Sequence, residues 1–168
     1  MKTIYIILIA FIINLQAQDE FRKIENNAFL AGEKLTFDVK YGFVTAGVAE
    51  MEIPRETRIS GRDAYHVTFK VNTVPSFDVL FKVRDRYETY IDKEGLFPWR
   101  FEQHIREGGY SRDFSAFFDQ RRGKAKTTEG TYEIPKYVND ILSAFYITRT
   151  FDFSNKKIGD RINLQNFY

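Results

Sequence analysis

The sequence predicts a mainly β fold: an antiparallel meander curled into a partial barrel, with one capping α-helix. Short stretches alternate apolar and polar residues, and each is bounded by a glycine turn. The aromatic residues are nearly all Phe and Tyr, the types that suit strands with one heavily buried face. A single long segment, Val138 to Thr150, instead repeats its apolar residues at helical spacing.

In chain order, Met1 to Ala17 reads as a cleavable secretory signal. Lys2 opens it, Ile4 to Ile13 is an uncharged apolar run, and Ala17 is the small residue a signal peptidase accepts. The run is shorter than the roughly 20 residues of a spanning helix, so no permanent membrane span is expected after cleavage. Residues 18–32 lack a clean period and are expected to form an N-terminal arm, followed by one β-rich domain over residues 33–168. From Glu33 to Tyr41 the alternation is strict, with Leu35, Phe37, Val39 and Tyr41 on one face. Between Val44 and Ile53 the apolar parity switches at Gly47, which predicts a bulge or sharp bend there. Tyr65 to Val71 gives the next buried face, and Ser76 to Phe81 is expected to make one helical turn with an exposed apolar edge. Lys82 to Ile91, Pro98 to Ile105 and Tyr110 to Asp119 complete the regular strands. The Arg121–Lys124 cluster reads as a solvated hairpin tip.

A weaker strand to Thr128 and a short one from Tyr132 lead into the helix. Val138, Ile141, Leu142 and Phe145 are expected on its buried stripe, with Asn139 or Asp140 capping its start and Arg149 at its last turn. Ile158 to Leu164 restores strand character with no terminator after it, so further strands are expected beyond this sequence.

Several pieces, in this order, resemble the DUF3108 family of exported bacterial proteins of unknown function. They are Phe29 with Gly32-Glu33-Lys34-Leu35, Tyr41-Gly42, Ala46-Gly47, Asp85-Arg86-Tyr87-Glu88, Leu96-Phe97-Pro98, Asp140 to Tyr146 with Arg149, and Gly159-Asp160. The resemblance implies export and a β-rich fold. It implies no reaction, cofactor or catalytic residue.

Composition excludes some functions. Without cysteine there is no disulfide, thiolate site or lipid-modified cysteine. Basic residues alternate with acidic ones, leaving no electrostatic footprint for nucleic acid. His66 and His104 fall on polar strand parities without metal-ligand spacing, so both are expected to face solvent, with no metal bound. Neither Ser60 nor Ser111 carries a nucleophile-elbow pattern, no phosphate loop or dinucleotide fingerprint is present, and no cofactor is expected. The exceptions to the pattern are Asp85 and Arg112, charges at buried parity on two strands separated by one. Burying either alone is costly, so they are expected to pair with each other, or Arg112 with the neighbours of Asp113 and Asp85 with Arg149. Asp85, Arg112, Arg149 and Phe145 are therefore the candidate ligand-binding residues. The expected function is non-catalytic: a periplasmic or otherwise exported domain that binds an apolar small molecule. The alternative is a structural module with a filled core that meets another envelope protein, and a small outer-membrane barrel or a hydrolase fits less well.

Overall fold

The computed structural model describes residues 21–167; the signal segment Met1–Ala17 lies outside the described residues. Eight strands follow one another in a single sheet, each antiparallel to the next. They are β1 (Lys34–Tyr41), β2 (Val44–Ile59), β3 (Arg62–Thr73), β4 (Arg84–Asp92), β5 (Pro98–Glu107), β6 (Tyr110–Asp119), β7 (Lys124–Thr127) and β8 (Gly130–Glu133). A single turn, α1 (Pro75–Asp78), links β3 to β4, and α2 (Ile141–Thr148) follows β8. The sheet is an open meander, not closed into a barrel. Among the described residues no helix is long and apolar enough to cross a membrane.

The predicted bulge is present. Val39 pairs with Gly47 but Lys40 pairs with Thr45, which leaves Ala46 as the extra residue. Gly47 is needed there because a Cβ would lie 2.7 Å from the Asn72 carbonyl oxygen on the neighbouring strand. Gly47→Ala is expected to lower stability by about 1–3 kcal/mol, since backbone must move to admit the methyl group. Urea denaturation followed by circular dichroism measures this, and an unchanged midpoint would mean that β2 and β3 separate without cost. A second irregularity, between Glu52 and Arg55, surrounds Pro54, which has no N–H for a ladder.

The inner face of the sheet carries the core. Ile53, Val67, Ile91, Phe101, Ala116 and Phe118 are buried there under Leu142, Tyr146 and Ile147 of α2. The N-terminal arm is part of this core. Phe29 packs edge-on to Tyr65 and Tyr146, with ring centroids 5.4 and 4.7 Å away. The Ile24 N–H donates to the Glu94 carbonyl, and Arg22 donates to the Gly95 and Leu96 carbonyls. A smaller cluster of Phe21, Phe97 and Trp99 sits beside it.

Two expectations are corrected. The helix is Ile141–Thr148, shorter than the predicted 138–150, and its buried residues are Leu142, Ser143, Tyr146 and Ile147. Ile141 and Phe145, assigned to the buried stripe, are exposed. Two adjacent stripes were available, and Asp140 decides between them. Its buried side chain is tied to Thr89 on β4, which turns the small Ser143 toward the sheet and lets Tyr146 pack inside. The second correction concerns Ile158 to Leu164, which form no strand. The chain instead crosses beside the start of α2, where the Asn139 N–H donates to the Gln165 carbonyl and the Phe167 N–H to the Asn139 carbonyl, each at 2.8 Å. Phe167 lies against Phe118 and Tyr132, so this segment covers the inner face and does not extend the sheet.

Candidate functional site

Strand register arranges the inner face in rows. One row runs through Leu35, Met51, Phe69, Tyr87, Gln103 and Phe114, from β1 to β6. Burial falls off along the strands. Next to α2, Val67, Thr89, Phe101 and Ala116 are fully enclosed, whereas Phe69, Tyr87 and Phe114 one step further are only half-buried. Beyond them on β1, Phe37, Val39 and Tyr41 are exposed. The aromatic rings Phe69, Tyr87, Phe101 and Phe114 run side by side, with successive centroids 5.9, 6.4 and 6.4 Å apart. At the β6 end of this lane is a pocket of about 240 Å³, lined by Phe101, Gln103, Arg112, Phe114, Glu129, Tyr132 and Phe167. Four of its walls are aromatic, and its charged groups, Arg112 and Glu129, are paired with each other at 2.6 Å.

Asp85 and Arg112 both lie on the inner face, as their parity predicts, but they do not pair. Asp85 is buried, and its Oδ1 accepts the Arg106 N–H at 2.9 Å. Its neighbour is Glu107, whose carboxyl is held above the usual range by burial first, then by the negative charge of Asp85 and a hydrogen bond to it. The Tyr87 hydroxyl alongside is also raised, by burial first, against a hydrogen bond from Gln103 that favours its ionised form. Asp85, Glu107, Tyr87 and Gln103 therefore form a polar strip beside the aromatic lane.

Arg112 reaches the β7–β8 turn to meet Glu129, and its guanidinium lies 5.2 Å from the Phe114 ring. Arg149 makes a two-pronged bond to Glu33 at 2.5 and 2.8 Å and also donates to the Ala28 carbonyl. The hydrogen bond from Arg149 is the main cause that holds the Glu33 carboxyl below its usual range. Arg149 thus ties α2 to the arm and to the start of β1. The expected Asp85–Arg149 contact is not made, because Glu33 meets that guanidinium. Phe145 lies on the outward side of α2, edge-on to Tyr146 and 5.8 Å from the Arg149 guanidinium. Neither Arg149 nor Phe145 lines the Arg112 pocket, so the candidates are not gathered into one site.

The histidines need one further correction. His104 is part-exposed and bonded to Asp113, but His66 is buried, its Nε2 2.5 Å from Glu88 Oε2 and its ring stacked on Tyr90. Burial, then the charges of Arg55 and Arg86, keep the His66 imidazole below its ordinary range. Long neighbouring side chains on this outer face cover the pair, which strand parity does not reveal. Among the described residues, no three His, Asp or Glu side chains converge as metal ligands would.

Sequence reasoning missed Gln103, Glu129, Tyr132 and Phe167 as pocket walls, and Glu107 as the partner of Asp85. Gln103 had a legible signal, since it shares parity with Phe101. The others depend on the β7–β8 turn and on the path after α2.

No curated protein and no solved structure matches this chain. A family model described as "Protein of unknown function (DUF3108)" matches residues 36–168, from β1 through α2 to the segment that closes over the pocket. With that match running through almost every element described above, the chain belongs to the DUF3108 family.

Proposed function

We propose that this chain is an exported, non-catalytic binding domain of the cell envelope, whose inner sheet face holds a small apolar guest. The supporting observation is the change along the inner face from a filled core under α2 to a half-open aromatic lane with a pocket at its end. A sheet evolved only to pack would bury these rings or replace them with polar residues, because exposed aromatic surface is unfavourable in water. The pocket accommodates an aromatic ring or a short alkyl segment, and the Arg112–Glu129 pair at its wall presents a polar end to an amphiphile. The alternative is a protein-interaction module with a filled core, and the dense packing beneath α2 favours it.

Native mass spectrometry of the full chain, expressed in a bacterium and recovered from its periplasm, separates these readings. Recovery there without residues 1–17 supports export, and retention in the cytoplasm with residues 1–17 attached opposes it. An added mass removed by denaturing extraction supports the guest. Phe114→Trp is expected to fill the pocket and weaken binding of a naphthylamine probe at least about tenfold, while melting changes little because the larger ring enters open space. Equal probe binding by the variant, together with a bare native ion, would favour the interaction module.

A further inference from the structure

β1 is hydrogen-bonded on one side only. β2 pairs with it along its whole length, and among the described residues no strand lies on its other side. The Ile53 N–H donates to the Glu33 carbonyl at 2.9 Å, so Glu33 and, by alternation, Leu35, Phe37 and Val39 turn their backbone groups toward β2. Thr36, Asp38 and Lys40 therefore present theirs outward. The side chains are as bare as the backbone. Every residue from Thr36 to Tyr41 is exposed, with Phe37, Val39 and Tyr41 on the inner face and Thr36, Asp38 and Lys40 on the outer. Asp38 and Lys40 enter no ion pair among the described residues, whereas Lys34 is held by Glu50 and Glu52. A long exposed edge with one apolar face is a template for a further strand.

This edge is complementary to itself. Two copies related by a two-fold axis pair antiparallel, and the residue on the axis fixes every opposite pair. With Val39 on the axis, Asp38 faces Lys40 of the second copy and Lys40 faces its Asp38, which gives two ion pairs on the outer face. These same residues exchange the hydrogen bonds of their outward backbone groups. On the inner face each Phe37 meets Tyr41 of the other copy, in the closer, non-hydrogen-bonded positions. Neighbouring registers lack this match. An axis at Phe37 sets Lys34 against Lys40, and an axis at Asp38 or Lys40 sets that charge against its own copy. An axis at Thr36 matches Asp38 with Lys34, which is already engaged, and leaves Tyr41 unpaired. The axis at Val39 also leaves room for the rest of each molecule. Arg149 ties α2 and the arm to Glu33, at the start of β1, so these parts of the two copies fall at opposite ends of the joined sheet.

We propose that two copies of this chain join through their β1 strands into one continuous sheet, with the two-fold axis at Val39. The order of charges along the edge, Asp38 before Lys40, is what selects a second copy over a lipid surface or an unrelated strand. This goes beyond the guest in the pocket, and none of its readouts involves that guest.

The test is sedimentation velocity on the full chain and its variants. The parent is expected to dimerise as its concentration rises. Asp38→Lys and Lys40→Asp each set like charges opposite one another on both sides of the axis, and each alone is expected to weaken dimerisation at least about tenfold. Mixing the two variants restores both ion pairs, so the mixture is expected to dimerise where neither component does. The chain has no cysteine, so Val39→Cys adds its only thiol. This variant is expected to form an intermolecular disulfide on mild oxidation, because Cα atoms across a non-hydrogen-bonded pair lie about 4.5 Å apart. Thr36→Cys, on the same edge but opposite Gly42, is expected to cross-link far more slowly. A parent chain that stays monomeric at its highest soluble concentration overturns the proposal. So does a dimer that survives in both charge variants, which would place the contact elsewhere. Cross-linking of Thr36→Cys as fast as Val39→Cys also overturns it, because the axis would then lie at another residue.

Discussion

Asp92→Ala is expected to destabilise the fold by about 3–5 kcal/mol, because it removes a fully buried carboxylate at the point where five hydrogen bonds from four residues meet. Asp92 accepts from Arg62 Nε at 2.5 Å and Nη2 at 2.9 Å, from the Gly95 N–H at 2.7 Å, from the Glu94 N–H at 3.1 Å and from Trp99 Nε1 at 3.1 Å. Truncation leaves the buried Gly95 N–H and the Trp99 indole N–H without an acceptor, and these two account for most of the cost. Arg62 suffers less, being part-exposed and within reach of Glu94. The turn that Asp92 holds also receives the arm, through Ile24 and Arg22, so its loss should loosen residues 21–31 as well. Burial alone would raise the Asp92 pKa, but Arg62, the Gly95 N–H and Trp99 outweigh it and hold the carboxyl below its ordinary 3.8. The folded state therefore stays ionised where the unfolded chain takes up a proton. This stabilisation is complete above about pH 4 and is lost as pH falls through the lowered value. Urea denaturation at pH 7 measures the loss, and repeating it between pH 3 and 5 should show a weaker acid dependence in the variant than in the parent. A loss under about 1 kcal/mol would mean that water reaches both orphaned donors.

The strands and their faces were legible because a buried inner face forces a period of two, and even the bulge at Gly47 showed as a switch in that period. Asp85 and Arg112 were placed on the correct face for the same reason. Their partners were not legible. Glu129 meets Arg112 only because the short β7–β8 hairpin folds back beside β6, and Glu33 meets Arg149 only because the arm crosses under α2. Such contacts depend on where loops and termini travel, and no local pattern records that path. The helix face was misread because Ile141/Phe145 and Leu142/Tyr146 are neighbouring stripes of equal hydrophobic character. A tertiary hydrogen bond, absent from periodicity, chose between them. His66 was misread in the opposite sense: its parity is outward, yet Glu88, Tyr90 and the flanking arginines enclose it.

That tertiary bond can be tested directly. Asp140→Ala is expected to cost about 2–4 kcal/mol, the sum of a lost helix cap and a lost charge-assisted hydrogen bond. Asp140 Oδ1 accepts from the Leu142 and Ser143 N–H groups at 2.8 and 3.0 Å, and Oδ2 accepts from the Thr89 hydroxyl at 2.6 Å. Ser143 Oγ completes a capping box by accepting the Asp140 N–H at 2.9 Å. Asp140→Asn should cost much less, since an amide oxygen still caps the helix and carries no charge to desolvate. Full burial pushes the Asp140 carboxyl above its ordinary 3.8, against the donors around it. As pH rises past that value the unfolded chain releases its proton first, so this residue's contribution declines until the folded carboxyl also ionises, and is constant above that point. The asparagine variant should lack this decline. Thr89→Val closes a double-mutant cycle, in which a coupling of about 1–2 kcal/mol with Asp140→Ala would assign the orientation of α2 to this contact. The cycle also bears on function. If Asp140→Ala loosens α2 while probe binding at Phe114 persists, the helix motif of this family serves as the clamp on the closed end of the sheet, and ligand recognition resides in the open aromatic lane.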